Sequence, residues 1–326
     1  MHYIENVCHD PRFNLALEEY VLSNKCVREP ILLLWQNEPS VIIGRYQNTP
    51  EEINPSFIEE RGIHVVRRIT GGGAVYHDLG NLNYSFMIPN ASGSIEFESF
   101  TRPVITALGR LGIKAELSGR NDLLVEGRKF SGNAQHYQGG KLLHHGTILF
   151  DSNLDDVQKA LHVREDKFVS KGIKSVRSRV TNLKPFLPVD MSVEEFKEFL
   201  LKDFDLEYLI TEMELTDAEY DEIRALSAGK YDSWEWNYGK SPLSSVSARI
   251  RTAGGTIESK ISVESGYIRD VRLTGDFFCM KDIRGFEAAF VGCRYSPDAV
   301  RDVLLRTPVE QYICNISTKD MEALFC

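Results

Sequence analysis

The sequence predicts an α/β (α+β) protein in two parts. A large unit, whose hairpin signals agree with mainly antiparallel sheet flanked by helices without singling it out, spans residues 1–240, a linker covers 241–248, and a small α+β unit covers 249–326. Short apolar runs bounded by turn residues recur along the first part, several at hairpin spacing. Amphipathic stretches with capping residues lie between them. After Ser241-Pro242-Leu243-Ser244-Ser245 the pattern shifts to paired strands followed by short helical segments.

Residues 14–22 have helical spacing, with Asn14 as N-cap. Residues 31–35 and 41–44 are strand-like, and Asn37-Glu38-Pro39-Ser40 between them reads as an antiparallel hairpin connection. A helix over 50–61 ends at Gly62. Strands follow at 63–68 and 83–88. Residues 98–111 fit a helix closed by Gly112, and Pro103 suits only a first turn, which argues for a later start. Strands are expected at 114–117, 122–125, 129–137 and 144–150, with Gln138-Gly139-Gly140-Lys141 as a hairpin turn. Ser152 or Asn153 caps a helix at 154–161. Ser192-x-x-Glu195 and Thr216-x-x-Glu219 are capping boxes opening two acidic helices. In the small unit, 257–263 and 267–273 alternate around a Ser265-Gly266 turn, and helices are expected near 282–291, 297–305 and 318–325.

The 326 residues are 42% hydrophobic and 26% charged, an ordinary globular make-up. No apolar run approaches the ~18 residues of a membrane span. Residues 1–6 have neither a basic n-region nor an apolar h-region, so no secretory signal is read there. The cysteines are Cys8, Cys26, Cys279, Cys293, Cys314 and Cys326. Their spacing fits neither a zinc site nor a disulfide framework, and a cytoplasmic location is expected. None lies between residues 27 and 278, so the central segment has no thiol nucleophile.

Charge is uneven. The chain carries −9 overall, yet residues 61–185 carry +7, against −6 for 1–60, −10 for 186–240 and balance in 241–326. A positive block in an acidic chain fits an anionic ligand or an acidic protein partner. Nucleic acid is disfavoured, because no helix-turn-helix or RNP pattern accompanies it.

Within that block, Arg67-Arg68-Ile69-Thr70-Gly71-Gly72-Gly73-Ala74-Val75-Tyr76-His77-Asp78-Leu79-Gly80-Asn81 stands out. Three successive glycines cost backbone entropy, about 0.5–1 kcal/mol each inside a regular element. They fit a loop that needs positive φ or a close backbone approach, and its N–H groups with the adjacent guanidiniums suit a phosphate or carboxylate. It is neither a Walker A loop nor a G-x-G-x-x-G fingerprint. Two further segments accompany it: Gly119-Arg120-Asn121-Asp122 with Gly127-Arg128-Lys129-Phe130-Ser131-Gly132-Asn133-Ala134, and Lys171-Gly172-Ile173-Lys174-Ser175-Val176-Arg177-Ser178-Arg179-Val180-Thr181-Asn182. His77, His144 and His145 have no metal-ligand spacing and read as structural or as supports of neighbouring site residues. Trp234-Glu235-Trp236 reads as a packing plug near the domain junction.

With Ser233-Trp234-Glu235-Trp236-Asn237, these segments resemble the lipoate–protein ligases of the LplA type, over roughly residues 14–239. The small unit that follows looks like that family's C-terminal accessory domain. The resemblance implies the biotin/lipoate-ligase fold. It also implies ATP-dependent activation of lipoate to lipoyl-AMP, then transfer to a lysine of an acceptor. Joining two anions in a partly desolvated site costs several kcal/mol at an effective ε of about 20, which fixed cations must offset.

The resemblance assigns Lys129 the central catalytic role, between the carboxylate and the α-phosphate. It places ATP at Arg68, Gly73, Ala74, Val75, Tyr76 and Lys129, and lipoate at Arg67, Gly71, Gly72 and Lys129. Lys171, Lys174, Arg177, Arg179 and Asn182 form an adenylate loop. Asn121 and Asp122 are candidates for Mg2+, which ATP-dependent adenylation requires. An apolar slot, lined by Ile42-Ile43 and by residues between Tyr76 and Ala134, takes the acyl chain; burying it supplies about 5–6 kcal/mol.

The implied acceptors are apo lipoyl domains of 2-oxo acid dehydrogenase complexes and the glycine-cleavage H protein, with the enzyme acting as a monomer away from membranes and nucleic acid. The alternatives are an octanoyl transferase, disfavoured by the missing cysteine, a transferase using preformed lipoyl-AMP on the same scaffold, a biotin ligase, whose glycine loop is missing, and a non-catalytic module that docks acyl-carrier domains.

Overall fold

The computed structural model describes residues 1–23, 28–91, 95–161, 180–238, 246–264, 267–295 and 297–325. Its strands are β1 (His2–Glu5), β2 (Ile31–Trp35), β3 (Ser40–Ile43), β4 (His64–Arg67), β5 (Val75–His77), β6 (Asn81–Ile88), β7 (Ala115–Ser118), β8 (Asp122–Val125), β9 (Arg128–Gln138), β10 (Lys141–Leu149), β11 (Thr211–Glu212), β12 (Val246–Thr252), β13 (Gly255–Glu264) and β14 (Tyr267–Gly275). A large sheet runs β11-β1-β2-β6-β10-β9-β8-β7, a small one runs β4-β3-β5, and a third, β12-β13-β14, belongs to the C-terminal unit.

The large sheet is covered on both faces, which is why β2 is apolar at every position. Leu32 and Leu34 face one core with Phe86, Val104, Leu108, Phe196 and Phe204, under helices Glu98–Arg110 and Val193–Tyr208. Ile31, Leu33 and Trp35 face the other, with Leu15 and Leu17 of helix α1 (Pro11–Ser23) and Ile42, Val66 and Ile69 of the small sheet region. The two layers meet over the centre of the large sheet.

The hairpin predicted between residues 31–35 and 41–44 is not formed. β2 pairs with β1 and β6, whereas β3 pairs with β4 and β5 in the other sheet. The connection changes layer instead, and a buried amide holds it: Asn14 Nδ2 donates to the Gln36 carbonyl and to Asn37 Oδ1, at 2.9 and 2.8 Å. Two strands that each need cover on both faces are better served in separate layers.

The helix expected over 50–61 is broken at Ile53-Asn54, where Asn54 caps Pro55–Arg61. Pro103 lies past the first turn of Glu98–Arg110. Both capping boxes form. Val246–Ala248, placed in the linker by sequence, are strand, because Val246 packs on the core of the C-terminal unit. The predicted 265–266 turn lies outside the described residues.

That unit packs helices Ile283–Ala288, Pro297–Arg306 and Thr318–Phe325 on its sheet around Phe277, Phe286 and Phe290. It also reaches the first part of the chain. Gly275 N–H donates to the Tyr46 carbonyl at 2.8 Å and Gly72 N–H to the Phe277 carbonyl at 3.4 Å. Phe278 leaves its own core to pack with Phe97 and Ala134, and the Arg120 guanidinium lies 4.3 Å from the Phe278 ring centroid.

Asn14→Leu leaves Asn37 Oδ1 and two carbonyls without their donor. We expect it to lower the unfolding free energy in urea by about 3 kcal/mol or more, against about 0.5 kcal/mol or less for Lys202→Ala on the surface. Equal stability of the two variants contradicts the role given to the crossover.

Candidate active site

A cavity opens where the glycine loop, the small sheet and α1 meet the large sheet. Leu15, Trp35, Ile42, Val75 and Ala134 give it apolar walls. Lys129, Asn121 and Arg68 bring polar groups, as do His77, Asn83, His145 and Thr147, with Gly72, Gly73 and Ala74 completing the lining.

Lys129 owes its position to a bulge. β8 and β9 slip register between Leu123 and Leu124, so Leu123 pairs with Ser131 and Leu124 with Lys129, leaving Phe130 extra. By simple alternation Lys129 would share a face with Ser131 and Asn133; the added residue returns it to the face of Gly132 and Ala134. Phe130 stays in the core with Tyr84 and Phe150. The Lys129 ammonium is 2.7 Å from Asp122 Oδ1 and its side chain is 35% exposed. A Cβ on residue 132 would sit 2.9 Å from that ammonium, so glycine there makes room for the charge.

Arg68 shapes the rim. Its Nη2 donates to the Gly71 and Gly73 carbonyls at 2.8 Å and its Nη1 to the Ile42 carbonyl at 3.1 Å. Its Nε donates to Thr70 Oγ1 at 2.8 Å, which leaves the Thr70 hydroxyl proton for His145 Nε2, also at 2.8 Å. His145 Nδ1 donates to buried Glu18 at 2.9 Å, and Glu18 accepts further from Ser85 at 2.6 Å. Burial pulls the guanidinium down to about 10, and the Glu18 charge opposes that fall. Gly72 takes φ +94°, open to glycine and strained for other residues.

The structure gathers Lys129, Arg68, Gly72, Gly73, Ala74, Val75 and Asn121 around one cavity. Of the residues expected to line the acyl slot, Ile42 and Ala134 border this cavity, whereas Ile43 packs with Val41, Ile53 and Tyr76. Arg67 and Tyr76 do not line the cavity. The Arg67 guanidinium donates to the carbonyls of Gly44, Gln47 and Trp236 and to Thr49, at 2.6–2.9 Å. Alternation along β4 and β5 turns Arg67 and Tyr76 away from the side carrying Val66, Val75 and His77, and the Tyr76 ring packs with Val41, Ile43 and Ile53. Gly71 does not line the cavity either; its backbone passes so close to the Phe277 carbonyl that a Cβ would overlap it. Asp122 is paired with Lys129 and Asn121 Nδ2 with the Asn133 carbonyl. Among the described residues, no three His, Cys, Asp or Glu side chains group closely enough to hold a metal ion.

Asn182 exchanges two hydrogen bonds with the Ser152 main chain, at 2.9 and 3.1 Å. Lys171, Lys174, Arg177 and Arg179 lie outside the described residues. Of the expected Trp234-Glu235-Trp236 plug, Trp236 donates its indole N–H to the Arg67 carbonyl at 2.7 Å, whereas Trp234 is 56% exposed.

Sequence reasoning missed Leu15, Trp35, Asn83 and Thr147. Asn83 left a signal: Asn81, Asn83 and Ser85 are polar at alternate positions of the 81–88 run.

A carbon-lined slot with an ammonium and a glycine rim has the chemistry to take an acid with an apolar tail. Residues 10–205 match the sequence profile of the lipoyl protein ligase A/B catalytic domain, and residues 241–325 that of the bacterial lipoate protein ligase C-terminus. Lipoate-protein ligase LplJ of Bacillus subtilis is 46% identical over 98% of each chain. Among solved structures, LipL1 of P. falciparum in complex with lipoate superposes with TM-score 0.80 at 25% identity, over 99% of this chain and 97% of that one. The bi-partite ligase of Thermoplasma acidophilum, described with its E2 lipoyl domain, gives 0.64 at 32% over 75% and 98%. Lipoate-protein ligase A bound with ATP gives 0.62 at 30% over 73% and 99%. The chain belongs to the lipoate–protein ligase A/B family, and its enzymatic activity is that of a lipoate–protein ligase.

Burial holds His77 at about 3 and His144 well below its ordinary value, so both are neutral in the folded protein. Unfolded, each takes a proton near pH 6.5. The folded state binds fewer protons below that pH, so this contribution is complete above about 6.5 and is lost as pH falls. Urea unfolding at pH 5 should give about 2 kcal/mol less per buried histidine than at pH 7, and His144→Leu should flatten the profile. A pH-independent stability contradicts the assignment.

Proposed function

We propose that the cavity activates lipoate as an adenylate and that Lys129 is the catalytic cation. The carrying observation is that one ammonium, a glycine rim and an apolar slot share a cavity. Lipoate lies with its tail against Trp35, Leu15 and Ile42 and its carboxylate at Lys129. A carboxylate oxygen attacks the α-phosphorus of ATP, the bond to pyrophosphate breaks, and lipoyl-AMP forms. An acceptor lysine, as free amine, then attacks the acyl carbon and AMP leaves.

Lys129 offsets the repulsion between the incoming anions, and most strongly as charge gathers in the transition state. Asp122 pairs with that ammonium at 2.7 Å. The main chain of Gly73, Ala74 and Val75 faces the nucleotide. Lys171, Lys174, Arg177 and Arg179 supply further charge. The chain after residue 179 supports this, because Thr181 N–H donates to the Lys129 carbonyl at 2.8 Å.

The residues fit Mg2+ only as part of a nucleotide complex. Asp122 brings one carboxylate and Asn121 an amide, so the phosphates would supply most of the oxygens. The ion would neutralise phosphate charge.

Lipoyl domains and the H protein are the acceptors we propose, supported by the positive block at 61–185 and by the Thermoplasma ligase described with its E2 domain. Docking should weaken with salt. We propose that the enzyme acts as a monomer. No helix among the described residues is long and apolar enough to cross a membrane, and Cys8, Cys279, Cys293 and Cys314 are free thiols, in keeping with a reducing cytoplasm. The C-terminal unit serves as an accessory domain that braces the glycine loop through Phe277.

Lys129→Ala should lower lipoyl-AMP formation from lipoate and ATP at least about 100-fold, while binding of an apo lipoyl domain survives. Unchanged adenylate formation removes Lys129 from the mechanism.

A further inference from the structure

At the inner wall of the cavity, two buried polar side chains have atoms without partners. His77 is 3% exposed and Asn83 2%, and both line the cavity beside Trp35. His77 Nε2 and Asn83 Nδ2 are buried and make no hydrogen bond. They stand among carbon surfaces, in the part of the slot where an alkyl tail has no need of a donor.

The direction of the His77 group is fixed from a distance. Cys8 N–H donates to Asn6 Oδ1 at 3.1 Å, which turns Asn6 Nδ2 onto Asn14 Oδ1 at 2.8 Å. Asn14 Nδ2 then donates to Asn37 Oδ1 at 2.8 Å, and Asn37 Nδ2 faces His77 Nδ1 at 3.0 Å. The main chain at one end of this relay sets the tautomer at the other. His77 Nδ1 is the acceptor, so its one proton sits on Nε2, a buried atom without a partner in a side chain that lines the cavity. Asn83 accepts from Asn81 Nδ2 at 2.9 Å, and its own Nδ2 is left over.

Position relative to Lys129 follows from register. Asn83 pairs with Thr147 across β6 and β10, and Thr147 Oγ1 accepts from Gly132 N–H on β9 at 3.1 Å. The Lys129 ammonium lies over Gly132. Asn83 is thus two strand spacings from the charged end, about 9–10 Å, the reach of an extended medium-chain acyl group.

We propose that His77 Nε2–H and Asn83 Nδ2–H2 form a donor pair that recognises the sulfur-bearing end of the acyl substrate and selects a dithiolane over a plain alkyl tail. This rests on the reading of the cavity as the lipoate site. Dithiolane sulfurs have lone pairs and accept weak hydrogen bonds; a saturated terminus has none and leaves both donors buried and unpaired. A site that provides donors rejects an analogue lacking acceptors more strongly than an apolar pocket does. These are specificity residues, remote from the reacting atoms.

The test is the ratio of kcat/KM for lipoate to that for octanoate, read by intact mass of an apo lipoyl domain with the full chain, ATP and Mg2+. The wild-type ratio should be about tenfold or more. In Asn83→Leu and His77→Phe it should fall severalfold, lipoate losing more than octanoate. A purely structural role would lower both acids equally, and an unchanged ratio overturns the proposal. A wild-type ratio near one overturns it without recourse to the variants, should they fold poorly. Absence of turnover with either acid instead refutes the reading of the cavity on which the inference rests.

Discussion

One extra residue in β9 decides where the charge goes. Phe130 occupies the bulge and keeps its ring in the core, and this rotates Lys129 onto the cavity face beside Gly132. A regular strand would carry the ammonium to the face of Ser131 and Asn133, where Tyr84 and His144 already fill the space. The rest of the site is arranged around a charge delivered this way: no side chain at 132, Asp122 within ion-pair distance, and the glycine loop across the opening.

Positive charge near a slot lined with carbon has to be compensated. Arg68 is 5% exposed, and its guanidinium is held by main-chain carbonyls and by Thr70. Glu18 answers it through His145 and Thr70, a buried relay joining α1, β10 and the loop. A half-satisfied network of this kind would cost more than an apolar core. Its completeness explains why polar groups persist between two apolar layers. The same layer holds the Asn6-Asn14-Asn37-His77 relay, so two polar chains border one cavity and each ends on a group that faces it.

Much of this was legible in the sequence, for stated reasons. Three glycines cannot be there for packing, and the loop they predict is where Arg68, Gly72 and Gly73 meet the cavity. The capping boxes at Ser192 and Thr216 and the Gly139-Gly140 turn are local, and local rules found them. What failed was mostly non-local. The short link between β2 and β3 looks like a hairpin, and only the need to cover both faces of each strand sends them to different sheets. Arg67 and Arg68 are chemically identical neighbours, and strand alternation turns one to the slot and the other to the Trp236 plug. Trp35 and Leu15 read as core residues, because a slot wall and a core differ only in what lies beyond them.

The central claim is that the acyl chain lies between Lys129 and the wall at Trp35 and His77. A crystal structure of the chain with lipoyl-adenylate tests it most directly. The acyl carbonyl and α-phosphate oxygens should lie within hydrogen-bond reach of Lys129 Nζ, with the dithiolane against Trp35. A ligand seated instead in the groove between Arg45, Arg67 and Arg284, at the junction with the C-terminal unit, would contradict it.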